Sequence, residues 1–240
     1  MKKSNLTSKA YEIPLSYSEF QSRFNLNLDL LSRRIYHTYG KSIKIKKEEL
    51  AIKNLVLILG SVLKISHKKG FHAMSLRDLS SETELSMGAL YSYFSGKDEL
   101  VKMLFHEGQI LFEETISIAC SGSSSQTETL KKFICAHLYL TEDLHKIFYF
   151  FYMETKSLKS SDQRLALAME QTSEKFLEDI LLRGKSNGEF QIVNTILTTS
   201  IIKAMLQDWY IKKYKYSKRK IHVEEYAQFL IDHILKTIKK

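Results

Sequence analysis

One proline and nine glycines in 240 residues leave the chain few points at which to break. That scarcity speaks against a many-turned β fold and favours long helices. Cysteine is also scarce. Cys120 and Cys135 form no CxxC pair, which suggests buried thiols in a reducing compartment. No apolar run approaches the ~20 residues of a membrane span. Met1, Lys2 and Lys3 lead into a polar stretch rather than a signal-peptide core. A cytoplasmic protein without stable membrane insertion is therefore expected. Catalytic signatures are missing as well: there is no glycine-rich phosphate loop, no HExxH and no GxSxG. The eight histidines are scattered, and although His137 and His145 lie eight apart, no carboxylate or cysteine gathers beside them. Pairs such as Glu48-Glu49, Glu113-Glu114 and Glu224-Glu225 read as solvated helix faces. The expectation is no enzyme, no metal and no cofactor.

Apolar residues make up 44% of the chain, enough for one sizeable core plus a small appended domain. The net charge is +9. Residues 1–50 hold ten basic and five acidic side chains, so a disproportionate part of the excess lies near the start. A basic balance suits a polyanionic partner but does not identify one.

The most informative stretch runs from Gly70 to Leu100, GFHAMSLRDLSSETELSMGALYSYFSGKDEL. Ser75 fits an N-cap, with Asp78 three residues on completing an acidic capping box. Leu76 and Leu79 give the following helix one apolar face. The pattern breaks at Thr83-Glu84, where Leu85 plugs a turn. Ser86 then caps a second helix over Met87–Phe94, with Leu90 and Phe94 facing inward at i and i+4. Its outer face carries Met87, Gly88, Ala89, Ser92 and Tyr93, with Tyr91 at the border. Small residues in the first turn let the backbone approach another surface closely. Tyrosine hydroxyls and Lys97 can donate to phosphate oxygens, which are the needs of a helix entering a major groove.

Ser86 to Leu100, SMGALYSYFSGKDEL, closely resembles the helix-turn-helix of TetR-family transcriptional regulators, and Lys68–Leu79 is similar to the segment preceding it in that family. The resemblance implies DNA contacts from Ser75, Arg77, Ser86, Met87, Gly88, Ala89, Tyr91, Ser92, Tyr93 and Lys97. Glu84 stands where the family usually has glycine, and Ser80 and Thr83 replace usual alanines. A glutamate in a left-handed conformation costs about 1 kcal/mol or more, so a slight rearrangement of the turn is expected.

The fold expected is all-α, a three-helix DNA-binding module with a helical ligand-binding and dimerisation body and an extra N-terminal helix. The extension covers residues 1–46. Ser16 and Glu19 form a capping box, and Tyr17, Phe20, Phe24, Leu28, Leu31 and Ile35 predict one helix over about 17–39, ending at Gly40. A basic hinge, 41–47, follows. Its Lys44, Lys46 and Lys47 either contact phosphate or the minor groove or are simply solvated. The DNA-binding domain spans 47–96. Its first helix, about Lys47 to Lys68, carries the stripe Ile52, Leu55, Val56, Leu59, Val62 and Leu63.

The body spans 97–240. A helix from Lys97 to just before Ser121 is followed by helical stretches near Thr127–Leu140, Glu142–Lys156, Asp162–Asn187, Val193–Tyr214 and His222–Lys239. Ile147–Met153 is apolar or aromatic on every face and demands burial all round. Core packing accounts for that; the resemblance adds a small-molecule pocket, with Tyr139, Phe148, Tyr152, Met153 and Met169 as its candidate lining. The last two helices resemble those that pair two TetR-family subunits, which makes Ile201, Met205, Phe229, Ile231 and Leu235 the candidate dimer surface. The tail and Tyr149–Leu158 also loosely resemble members that sense fatty acyl-coenzyme A. The basic segment Lys212–Lys220 fits either a phosphate-holding loop or a solvated one.

The resemblance thus implies a homodimeric regulator on pseudo-palindromic double-stranded DNA, a repressor released by an apolar or amphipathic effector. Two alternatives stay open. One is an effector-free architectural or protein-partnered DNA-binding protein. The other is a ligand carrier or membrane-surface protein with a vestigial helix-turn-helix, against which Gly88, Tyr91, Tyr93 and Lys97 speak.

Overall fold

The structure, a computed structural model, describes residues 12–155 and 160–239, with the side chains of all of these except 160–162, 164–166, 168 and 169. Twelve helices account for the regular structure, and no strand occurs among the described residues.

The extension forms two helices rather than one. α1 (Tyr17–Phe24) starts on the Ser16–Glu19 capping box, both arms of which are made, and stops at Asn25 in a left-handed conformation (φ 45°). Asn27 then caps α2 (Leu28–Tyr39) by accepting from the Leu30 N–H. An asparagine tolerates the left-handed region and caps well, so this pair turns the chain where the hydrophobic spacing alone ran straight through. Both helices pack on their own subunit. The Phe20 ring meets Tyr139 at 5.6 Å, Tyr17 donates to Asp143 at 2.5 Å, and Arg34 donates to Glu114 at 2.8 Å and to the buried Glu107 at 3.3 Å. Arg33 reaches Glu49 at 3.2 Å. The extension therefore ties the residues after 47 to the body.

α3 (Glu48–Lys69) is followed by α4 (Leu76–Thr83) and the one-turn α5 (Met87–Leu90). α3 is long and apolar enough by composition to cross a membrane. Ile52, Leu55, Ile58, Leu59, Val62 and Leu63 nevertheless lie inside the protein core, which accounts for its apolar character. Gly70 ends it at φ 80°, a conformation that favours glycine.

The body comprises α6 (Lys97–Cys120), α7 (Gln126–Asp143), α8 (His145–Glu154), α9 (Ser160–Ser186), α10 (Thr195–Ile211), α11 (Lys213–Lys218) and α12 (Val223–Ile238). α7 runs through its middle, packed by α6, α9, α10 and α12. Gly108 on α6 allows the Phe151 ring of α8 to press against the helix; a Cβ there would lie 2.8 Å from it. Much of the basic stretch after α10 is helical rather than a loop, with Lys218, Arg219 and Lys220 exposed at its end. It forms α11, Lys212 and Lys215 pair with Asp208, and Lys213 pairs with Glu142 at 2.7 Å. Tyr216 packs between Trp209 and Tyr226, with centroids at 4.9 and 4.8 Å.

Candidate nucleic-acid interface and effector cavity

The turn between α4 and α5 is built from local hydrogen bonds. Ser75 caps α4, and Asp78 returns the bond to the Ser75 N–H at 2.7 Å. Glu84 takes the left-handed conformation (φ 59°) without a glycine. The two hydroxyls that replace alanines hold it there: Ser80 donates to the Leu85 carbonyl at 2.5 Å, and Thr83 accepts from the Leu85 N–H at 3.3 Å. Ser86 then caps α5 through the Ala89 N–H.

α5 is shorter than the spacing predicted, and that moves two residues. Helical structure ends at Leu90, and the chain turns through Tyr91 to Tyr93. Tyr93 consequently points inward, 2% exposed, with its hydroxyl accepting from Asn54 at 2.8 Å. It is a core residue rather than part of an outer surface. Lys97 is internal in its bonding as well. Its Nζ donates to the carbonyls of Phe71 (3.3 Å), His72 (2.8 Å) and Met74 (2.9 Å) and sits 5.1 Å from the centre of the Phe71 ring. All three N–H donors are spent on the α3–α4 connection.

Of the remaining candidates, Ser75, Arg77, Ser86, Gly88 and Tyr91 are exposed or half-buried at the surface, with Met87, Ala89 and Ser92 beside them. Gly88 faces open space: the nearest atom to an added Cβ is Ser86 Oγ at 3.9 Å. The basic hinge joins this surface, because the Lys44 N–H donates to the Ser92 carbonyl at 2.8 Å. Its lysines differ in what they do. Lys46 donates to the carbonyls of Gly40 and Ile43 at 3.0 and 2.8 Å. Lys44 and Lys47 are exposed, and neither they nor Arg77 have an ion-pair partner among the described residues.

In the body, a cavity of about 620 Å³ opens among α6–α10. Phe148, Tyr152 and Met153 lie on its wall, with Phe112, Phe151 and Tyr210. Tyr139 does not: its ring is buried against Tyr17 and Phe20, and its hydroxyl donates to the Leu15 carbonyl at 3.1 Å. The Met169 side chain lies outside those described. Besides Thr155, Gln163, Glu170 and Gln207, the wall carries three further polar residues not apparent from the sequence, His137 on α7, Ser173 on α9 and Lys203 on α10. All three are buried, and Lys203 donates to Ser173 Oγ and lies 3.4 Å from His137 Nε2. Burial holds the Lys203 ammonium down to about 8. Burial, reinforced by Lys203, holds His137 well below the usual imidazole range.

α8 has this cavity on one side and the end of α3, with the α3–α4 connection, on the other. Phe148, Phe151 and Tyr152 face the cavity, while Phe150 meets Phe71 at 5.8 Å and Tyr149 meets His67 at 5.7 Å. A second cleft of about 820 Å³ runs between α3, α8 and α10–α11.

The candidate dimer residues divide. Ile201 and Phe229 are 58% and 64% exposed, and Met205 is half-buried. Ile231 and Leu235 are fully buried in their own subunit's core rather than on a free face of α12. Val193, Ile196 and Leu197 extend the exposed apolar surface along the start of α10 instead. Among the described residues no three histidine, cysteine or acidic side chains gather as metal ligands would.

This arrangement has counterparts among known proteins. Residues 61–104 match the family described as bacterial regulatory proteins, tetR family, and residues 123–236 match the tetracyclin repressor-like C-terminal domain. An uncharacterised HTH-type regulator of Bacillus subtilis, YuxN, is 29% identical over 129 residues, spanning 52% of this chain and 44% of that protein. The TetR-family regulator PfmR of Thermus thermophilus superposes with a TM-score of 0.66 at 27% identity, covering 76% of this chain and 99% of PfmR. The regulator FadR of Bacillus subtilis, solved with stearoyl-CoA, superposes at 0.61 with 16% identity, covering 74% of this chain and 96% of FadR. At that identity the likeness concerns the fold.

Proposed function

Because the chain belongs to the TetR family of bacterial transcriptional regulators, we propose that it is a homodimeric repressor that reads a pseudo-palindromic operator and lets go when an apolar or amphipathic effector enters the α8 cavity. Regulators of this family bind operator DNA, act as dimers and take small-molecule effectors. In this chain the operator-reading surface comprises Arg77, Ser86, Gly88, Tyr91 and the hinge lysines Lys44 and Lys47. The three parts are the extension to residue 46, the DNA-binding domain from 47 to 96, and the body from 97 onward. Two subunits meet through the exposed apolar face of α10 and Phe229, which a monomer leaves in water.

The observation that carries the release step is the position of α8. A ligand that displaces Phe148 or Phe151 must move the helix whose other side holds Phe150 and Tyr149 against Phe71 and His67. Phe71 in turn supplies both a carbonyl and a ring face to Lys97, the first residue of α6. Moving α8 therefore re-aims the helix-turn-helix segment relative to the body, and with it the spacing of two recognition elements in a dimer. FadR, solved with stearoyl-CoA, makes fatty acyl-CoA one candidate effector.

Fluorescence anisotropy on DNA flanking the protein's own gene, with and without a cellular lipid extract, tests the reading. The active component should weaken operator binding ~5–150-fold, and operator DNA should weaken its binding by the same factor, because the coupling is reciprocal. Tight operator binding that no extract fraction alters would remove the effector and favour an architectural or protein-partnered role.

A further inference from the structure

The polar end of the cavity carries information about its occupant. Lys203 is 8% exposed, yet no carboxylate lies within ion-pair distance of it among the described residues. The nearest acids act only from farther off and are otherwise engaged: Glu170 accepts from Gln207 at 2.9 Å, and Glu174 accepts from Ser200 at 3.3 Å. A buried cation without a counter-ion is costly, and in folded proteins such charges are normally paired. Two of the three ammonium hydrogens face Ser173 Oγ and His137 Nε2. Among the described residues one N–H is left, and Ser173, which accepts from Lys203, still has its own O–H to give. Among the described residues this end of the cavity therefore holds one ammonium and a free donor on each of Lys203 and Ser173, while the rest of the wall combines five aromatic rings with Met153, Leu167 and the polar Thr155, Gln163, Glu170 and Gln207.

We propose that the effector is a free carboxylate with a fatty or aromatic body, its two oxygens taken by the third Lys203 N–H and the Ser173 hydroxyl. This rests on the cavity being the effector site. A single carboxylate supplies the direct counter-ion that Glu170, on the same wall but engaged with Gln207, does not give Lys203, and its two acceptors match the two donors. A phosphate dianion would bring more charge and more oxygens than this end can satisfy. A thioester carbonyl would leave the lysine uncompensated. His137 is a positioning residue: as a neutral imidazole it accepts from Lys203 and holds the ammonium in place. Phe112, Phe148, Phe151, Tyr152 and Tyr210 surround the apolar part.

Titration calorimetry of the full chain with decanoate, decanol and decanoyl-CoA separates the possibilities. Decanoate should bind at least tenfold more tightly than decanol. Lys203→Met should cost decanoate about tenfold or more and leave decanol unchanged or improved, which also reports an intact cavity. Ser173→Ala should weaken decanoate several-fold in the same background. Equal affinity for decanoate and decanol, or decanoate binding untouched by Lys203→Met, would overturn the carboxylate assignment while leaving the cavity as the site. Tight decanoyl-CoA binding with no decanoate binding would overturn it in favour of a thioester. If none of the three binds, the cavity reading falls with it.

Discussion

Replacing Lys203 by methionine should make the protein more stable, and by an amount that depends on pH. The lysine titrates at about 8 in the folded chain against an ordinary value of 10.5. A lysine whose value falls on folding disfavours the folded state wherever it must be carried as a cation. The penalty is complete below pH 8 and disappears as pH rises through 10.5. At 1.36 kcal/mol per pH unit, the difference is on the order of 3 kcal/mol at pH 7. Methionine fills nearly the same volume, has no charge and suits the neighbouring aromatic rings. For a chain of this size, 1 kcal/mol moves the melting temperature by roughly 2–4 °C, so the variant should melt about 6–12 °C higher at pH 7. By pH 10 the gain should shrink to under about a third of that. His137 stays neutral throughout this window, and Tyr210, held high by burial, stays protonated below it. Glu170 and Glu174 are the acids that act on the ammonium, both from a distance. Differential scanning fluorimetry at the two pH values measures the effect. A variant less stable than wild type at pH 7, or a gain independent of pH, would mean that Lys203 is paired and the reasoning from an uncompensated charge is wrong.

The lysines near the recognition surface should separate by salt. Each phosphate contact contributes a slope of about −0.9 to log K against log salt, so Lys44→Ala and Lys47→Ala should each flatten the slope by up to ~0.9 per contacting subunit. Lys46→Ala and Lys97→Ala should leave the slope alone and lower the melting temperature, because their ammonium groups hold backbone carbonyls; the opposite pattern in anisotropy and melting would reverse the assignment. Ile201→Asp should yield monomers by light scattering at unchanged helicity, since the side chain is exposed. A dimer that persists would move the interface elsewhere. Glu84→Gly relieves a left-handed glutamate and should be neutral to stabilising by ~1 kcal/mol at most, and a loss of stability in urea denaturation would show that the glutamate side chain contributes to the turn.

What the sequence discloses here is what local interactions decide. The capping serines Ser16, Ser75 and Ser86 each act within three residues, so their positions are readable before any packing is known, whereas the left-handed Glu84 follows from the family resemblance. The break between α1 and α2 carried a signal of the same kind, the asparagines at 25 and 27, but the regular spacing of Phe24 and Leu28 masked it. Tyr93 and Lys97 depend on where α5 stops, which periodicity could not fix: one helical turn fewer rotates Tyr93 from the surface into contact with Asn54. Lys97 reads as a basic residue near a DNA-facing helix until the Phe71–Met74 carbonyls are seen folded beneath it. Lys203 reads as one of many exposed lysines, although Thr199 and Leu206, four before and three after it, are buried and share its side of α10. Ile231 and Leu235 are buried in their own subunit's core; the four-residue spacing they share marks a common face without showing whether that face meets the core or a partner.

The surface around Gly88 is proposed to read DNA. Gly88→Glu places bulk and negative charge on that surface, where an added Cβ would meet nothing closer than 3.9 Å, so the fold should not change. Measured by anisotropy on the operator fragment at fixed salt, the variant should lose specific binding altogether while its circular dichroism and melting temperature match the wild type. Operator affinity retained by a folded Gly88→Glu protein would contradict the account.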